Sequence, residues 1–163
     1  MNRSLREFLI DGYNLLHALK LNQNDLTLEQ QREQLETRLL EVQNVSRQRI
    51  TVVYDGQGKQ SPRTEQGAIT RVFTPSRITA DDWIMDYIGS RGGNAGLFTV
   101  VSSDRMIASY AKAYGATRMT SQRFIDRWLS GRTPALNASR TATDGRLSDR
   151  EVSAWLQIFE GKP

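Results

Sequence analysis

Four aspartates give this sequence its chemical possibilities. Asp11, Asp55 and Asp104 each stand at or just past the end of a short apolar run: Phe8-Leu9-Ile10, Val52-Val53-Tyr54 and Val100-Val101. The fourth, Asp81, opens a helical pattern together with Asp82 and Asp86. Asp-Gly and Ser-Asp are ordinary turn and helix-cap pairs, which is the plain reading of any one of these acids. Three at three strand ends, beside a helix that starts with more, read instead as a cluster. Two carboxylates about 5 Å apart repel by roughly 3 kcal/mol at an effective dielectric of about 20. Four together need protons or a cation. A hard, oxygen-seeking ion, Mg2+ or Mn2+, answers that charge. Such an ion can activate water, orient a phosphodiester and stabilise the departing oxygen.

The elements that must position these acids follow from the pattern. Residues 5–10 and 50–54 are apolar and strand-like, 69–73 alternates, and 97–101 is an apolar run. Residues 117–119 suit a short last strand. Between them run helical stretches. Thr27 with Gln30 forms a capping box, and Leu28, Leu35, Leu39 and Val42 give an apolar stripe. Thr79 opens a helix to about Ser90, an Ala-rich helix follows Asp104, and Ser121 caps one to about Leu129. Residues 56–67, with three Gly and a Pro, read as a loop. Strands alternating with helices predict an α/β domain with a mostly parallel sheet flanked by helices. Parallel strands then bring Asp11, Asp55 and Asp104 to one edge, where open α/β sheets bind ligands. Stepping about 100° per residue puts Asp81 at the margin of its helix's apolar face, with Asp82 and Asp86 turned away. Asp82, at the third helical position, also suits the helix dipole. The expected organisation is one domain over 1–130, a connector over 131–147, and a capping box at Ser148 and Glu151 before a last helix, 148–163, that packs on the same domain.

Composition narrows the partners. Of 22 cationic residues 18 are Arg, and the net charge is +4 with a pI near 9.7. Arg presents a planar fork of donors suited to phosphate, so a polyanion, nucleic acid first, is the expected partner. The absence of Cys excludes disulfides, thiol nucleophiles and Cys-based zinc. One His leaves no His-rich metal site and makes a Ser-His-Asp triad improbable. No apolar run reaches membrane-spanning length, and the first residues carry no apolar signal region.

At the acid-bearing segments the sequence resembles the NYN branch of the PIN-like ribonuclease superfamily, and within it the YacP-like family of bacteria and plastids. The matching segments are Phe8-Leu9-Ile10-Asp11-Gly12-Tyr13-Asn14, Val52-Val53-Tyr54-Asp55-Gly56, Thr79-Ala80-Asp81-Asp82, Val100-Val101-Ser102-Ser103-Asp104 and Arg118-Met119-Thr120-Ser121. The stretch from Leu147 to Glu160 resembles the family's C-terminal helix. The resemblance implies a Rossmann-type three-layer sandwich and metal-dependent endonucleolytic cleavage of RNA, with mRNA on the ribosome as the setting of relatives. It implies a cytoplasmic place, the bacterial cytosol or the plastid stroma. By position, Asp11, Asp81 and Asp104 match the family's catalytic, metal-binding acids. Asp55 matches a supporting acid and, with Asp82, is a further metal candidate. Asn14 matches a polar residue beside the first acid. One departure is local: where the family often has Glu shortly after the last helix starts, this chain has Phe124.

Other residues carry weaker signals. Ser102 and Ser103 could meet a phosphate or cap the helix at Asp104. Tyr13 could stack on a base or pack. Lys59, Arg63, Arg71, Arg77, Arg105, Arg118 and Arg123 are the candidate RNA phosphate contacts, each also readable as a solvated surface cation. His17 reads as structural, and Trp128, Trp155 and Phe159 as core. The rival readings are a non-catalytic RNA- or ribosome-binding module on the same fold and a phosphoryl-transfer domain. The second needs a well-placed Lys, and Lys112 lies on the helix after Asp104, the wrong place.

Overall fold

The computed structural model describes residues 6–21, 25–56, 63–66 and 69–130, all within a unit spanning Met1–Ser130. Lys59, the 131–147 connector, the 148–163 helix, Trp155 and Phe159 lie outside the described residues, as does the side chain of Arg63.

The strands are β1 (Glu7–Asp11), β2 (Arg49–Tyr54), β3 (Arg63–Gln66), β4 (Ile69–Phe73), β5 (Phe98–Val101) and β6 (Thr117–Met119). They form one sheet in the order β3-β4-β2-β1-β5-β6. Five strands run parallel and β3 pairs antiparallel with β4 at the edge. The inner strands are buried on both faces, so they read as continuous apolar runs. Alternate residues feed two layers. Phe8, Ile10, Ile50, Val52 and Tyr54 face helices α1 (Gly12–Ala18), α2 (Leu28–Ser46) and α5 (Ser121–Phe124). Leu9, Val53, Val72 and Val100 face α3 (Ala80–Gly89) and α4 (Arg105–Ala113). This is the expected α/β sandwich. Among the described residues no helix is long and apolar enough to cross a membrane.

The chain leaves β1 toward β2 and β4 on one side, then returns to place β5 on β1's other flank. That reversal makes the crevice at the carboxyl ends of β1 and β5 a topological switch point, where ligands bind in open α/β sheets. Gly12 makes the turn from β1 into α1 possible. A Cβ there would run into the ring of the fully buried Tyr54.

Some local expectations change. Residues 63–66 form an edge strand where a loop was expected. Arg-Thr-Glu-Gln has no apolar pattern, and only pairing with distant β4 residues makes it a strand. The capping box of α2 is present, Thr27 Oγ1 accepting from the Gln30 amide and Gln30 Oε1 from the Thr27 amide. Leu28, however, is 48% exposed, and the buried stripe begins at Gln31 and Leu35. Ser121 is not a cap. Thr120 Oγ1 takes the Arg123 amide at 3.2 Å, and Ser121 is the first helical residue, fully buried. His17 is exposed in the last turn of α1, where a helix end tolerates a base, and has no buried structural role.

Gly12→Ala should lower stability by about 1–3 kcal/mol in urea unfolding, the usual range for overpacking a filled core. Gly93→Ala, where an added Cβ meets nothing within 4 Å, should change it by less than about 0.5 kcal/mol. Equal effects would contradict the Gly12–Tyr54 contact.

Candidate active site

Each strand-end acid is tied to a helix start. Asp11 is the N-cap of α1, its Oδ1 accepting the Asn14 amide at 3.3 Å. Asp104 is the N-cap of α4, its Oδ1 accepting the Met106 amide at 2.7 Å and the Ile107 amide at 3.1 Å. Asp55 reaches across the sheet edge, its Oδ1 accepting the Ala80 amide at 2.6 Å. That bond pins the start of α3, and so the backbone carrying Asp81, to the end of β2. Thr79 Oγ1 completes the cap by accepting the Asp82 amide at 3.1 Å. Capping and clustering are therefore one arrangement. One carboxylate oxygen of each strand-end acid is spent on a helix N-terminus, where the dipole favours negative charge.

The acids feel one another. Asp11 is buried, 7% exposed, and its carboxyl is pushed up to about 7. Burial is the main cause, the Asn14 amide opposes it, and the charges of Asp81 and Asp55 add to it. Asp81, half-buried, is also raised, first by burial and then by the charge of Asp104, with Asp55 and Asp82 contributing. The contact between the two carboxyls acts in opposite directions, raising Asp11 and lowering Asp81. No Lys or Arg forms an ion pair with any of the four among the described residues. Asp82 and Asp86 are exposed on the outer side of α3, as the helical spacing predicts.

The donor set suits a divalent ion: carboxylate oxygens, crowded, protonated where a cation would otherwise balance them. Convergence is looser. Among the described residues no three acidic or histidine side chains surround one point closely enough to form a metal group.

A polar bracket stands beside the acids. Asn14 Oδ1 accepts the Ser103 amide at 3.0 Å and the Ser121 hydroxyl at 2.6 Å, and Ser103 Oγ accepts the Ser121 amide at 3.2 Å. Ser102 Oγ accepts the Asp104 amide at 3.1 Å. The segments following β1, β5 and β6 are thereby joined. Ser121 as a bracket residue gave no signal in the sequence beyond a helix start. Phe124 is fully buried and meets Phe8 edge-on at 5.3 Å, so an acid at this position would lie in the apolar core.

The remaining candidates separate. Arg77, Arg105, Arg118 and Arg123 are exposed, Arg105 directly after Asp104 and Arg118 and Arg123 on β6 and α5. Arg71 is half-buried and pairs at 3.8 Å with the buried Glu36 on the α2 side of the sheet, so it has a partner inside the protein. Tyr13 is half-buried, tilted against Tyr54 at 5.2 Å, and its hydroxyl accepts from Arg32 at 3.0 Å. Arg32, lying over Phe73 at 5.3 Å, was invisible in the sequence because nothing in a helical Arg names a distant aromatic. Trp128 packs on Phe8 at 5.9 Å, as a core aromatic should.

The Asp11 shift has a stability consequence. Between its unfolded value of 3.8 and its folded value of about 7, the folded chain keeps a proton that the unfolded chain has lost. Stability therefore falls as pH rises across that window, by on the order of a few kcal/mol. Asp11→Asn keeps the acceptor for the Asn14 amide and removes the charge. In EDTA, the loss of stability from pH 5 to pH 8 in urea unfolding should be smaller for the variant, leaving it more stable than the parent at pH 8. Parallel pH curves would contradict the shift.

Comparison with known proteins agrees with this architecture. The crystal structure of Rae1 (YacP) from Bacillus subtilis is similar at a TM-score of 0.60 and 23% identity, covering 96% of each chain. A point mutant of that protein gives 0.59 and 23%, covering 84% of this chain and 87% of the other. At that identity the likeness shows the fold. Curated proteins give no match. The YacP-like NYN domain profile matches residues 8–159, from β1 to beyond the described residues, and this chain therefore belongs to the YacP-like NYN domain family.

Proposed function

We propose that this protein is a metal-dependent endoribonuclease acting at the Asp11–Asp81 pair. The observation that carries the reading is the buried Asp11 carboxyl beside Asp81 at the switch point, with Asp55 and Asp104 adding charge from the neighbouring strand ends. Its family supports the reaction type: NYN domains are PIN-like nucleases, generally ribonucleases and generally dependent on divalent metal.

Asp11, Asp81 and Asp104 are the residues that would hold Mg2+ or Mn2+. When bound, the ion supplies a Lewis acid for the phosphodiester and lowers the pKa of attacking water. Holding it requires ionised carboxylates, so the proton that burial favours on Asp11 must leave. Asp55 fixes Asp81 by clamping the start of α3. Exposed Arg77, Arg105, Arg118 and Arg123 supply charge for the RNA backbone. No side chain is assigned as general base. Within this reading the substrate is mRNA, the ribosome is its setting and the cytoplasm its compartment, all by family resemblance.

One observation favours a second reading, a non-catalytic RNA- or ribosome-binding module: no three described acids converge on one point. Calorimetric titration with Mn2+ separates the two, since a pure binder shows no Asp-dependent metal site.

End-labelled structured and unstructured RNAs should be cleaved by the parent in Mg2+ or Mn2+ and not in EDTA. Asp81→Asn should lower the rate by at least about 10²-fold, the range for losing a group acting on transition-state charge. Equal cleavage by parent and variant would overturn the assignment.

A further inference from the structure

We propose that the side-chain amide of Asn14 is a donor to a substrate phosphate oxygen at this site, and that Ser121 is the positioning residue that aims it. The inference rests on the ribonuclease reading and deepens it.

The two ends of the Asn14 amide are told apart by chemistry. Its Oδ1 receives the Ser103 backbone N–H at 3.0 Å. A backbone N–H only donates, so it cannot face the NH2 end. The Ser121 hydroxyl fills the second acceptor position of the same oxygen at 2.6 Å. Ser121 is fully buried, and its own amide is held by Ser103 Oγ at 3.2 Å. The amide therefore cannot flip without breaking two bonds, and Nδ2 is the outward end. Among the described residues Nδ2 has no hydrogen-bond partner, and Asn14 is half-buried rather than enclosed.

Its position gives that free donor a use. The Asn14 amide nitrogen is bonded to Asp11, and the Ser103 bond ties the side chain to the residue preceding Asp104. The side chain thus bridges the segments that carry Asp11 and Asp104, two acids of a cluster that has no cation partner among the described residues. An N–H donor cannot ligate a metal ion. It can take an acceptor oxygen, and a phosphodiester entering a ring of carboxylates needs uncharged or positive donors to offset their repulsion. The bracket supplies one already aimed, with no side-chain reorganisation.

Asn14→Asp keeps the oxygen that accepts from Ser103 and Ser121 and loses the donor. With labelled RNA in Mn2+ it should lose 10- to 100-fold in kcat, the scale of one preorganised donor. Ser121→Ala should lose several-fold in kcat while its melting temperature stays near the parent's. A second readout is the Asn14 Nδ2 15N–1H signal, identified by its absence in Asn14→Asp. On adding a short RNA in EDTA it should shift in the parent, and shift less in Ser121→Ala. If the parent cleaves RNA and Asn14→Asp keeps its kcat, losing only in KM, or if the Nδ2 signal stays still while signals around Arg105 and Arg118 move, this inference falls and the nuclease reading stands. If the parent neither cleaves nor binds RNA, the nuclease reading falls and takes this one with it.

Discussion

Mutual repulsion among carboxylates at the end of a parallel sheet is the constraint that the rest of the structure serves. Asp11 lies in the fields of Asp81 and Asp55, and Asp81 in those of Asp104 and Asp55, so that left to themselves these acids would move apart. Three features hold them. Buried parallel strands fix where β1, β2 and β5 end. Amides at helix N-termini donate to one oxygen of each strand-end acid. Burial raises the Asp11 carboxyl to about 7, so that a proton there removes one charge. Only the last is adjustable, so it is the element a bound cation replaces in the proposed chemistry.

The same residues therefore serve fold and site at once. Asp55 illustrates this best: exposed at the end of β2, it anchors α3 across the crevice and so decides where Asp81 sits. Asn14 does the same on the other flank, joining the segments after β5 and β6 through Ser103 and Ser121. Charge repulsion is concentrated at this edge, and the apolar layers beneath it, with Leu9, Ile10, Ile84 and Phe124 fully enclosed, supply the stability that offsets it.

Much of this was legible in the sequence, for physical reasons. A strand buried on both faces must be a continuous apolar run, so its end is marked by the first polar residues: Asp11 and Asp55 stand directly there, and Asp104 follows Ser102 and Ser103. Helical period placed Asp81 at a face margin and Asp82 and Asp86 outside it. What was not legible depends on distant partners. The polar edge strand Arg63–Gln66 exists through pairing with β4. Arg71, readable as a phosphate contact, meets Glu36 from α2, and Arg32 meets Tyr13 nineteen residues away. Thr120 and Ser121 are equally good caps in isolation. Asn14, arriving from another element, draws the Ser121 hydroxyl inward and leaves the cap to Thr120.

The central claim is that the buried Asp11 carboxyl, beside Asp81, holds a proton where a divalent ion would bind. The most direct measurement is the 13C resonance of the Asp11 side-chain carboxyl, followed from pH 4 to 9 with and without Mg2+. The account predicts a midpoint near 7 without the ion, moved down by about one unit or more at saturating Mg2+. A midpoint near 4 in both series, or one near 7 that Mg2+ leaves in place, would contradict it.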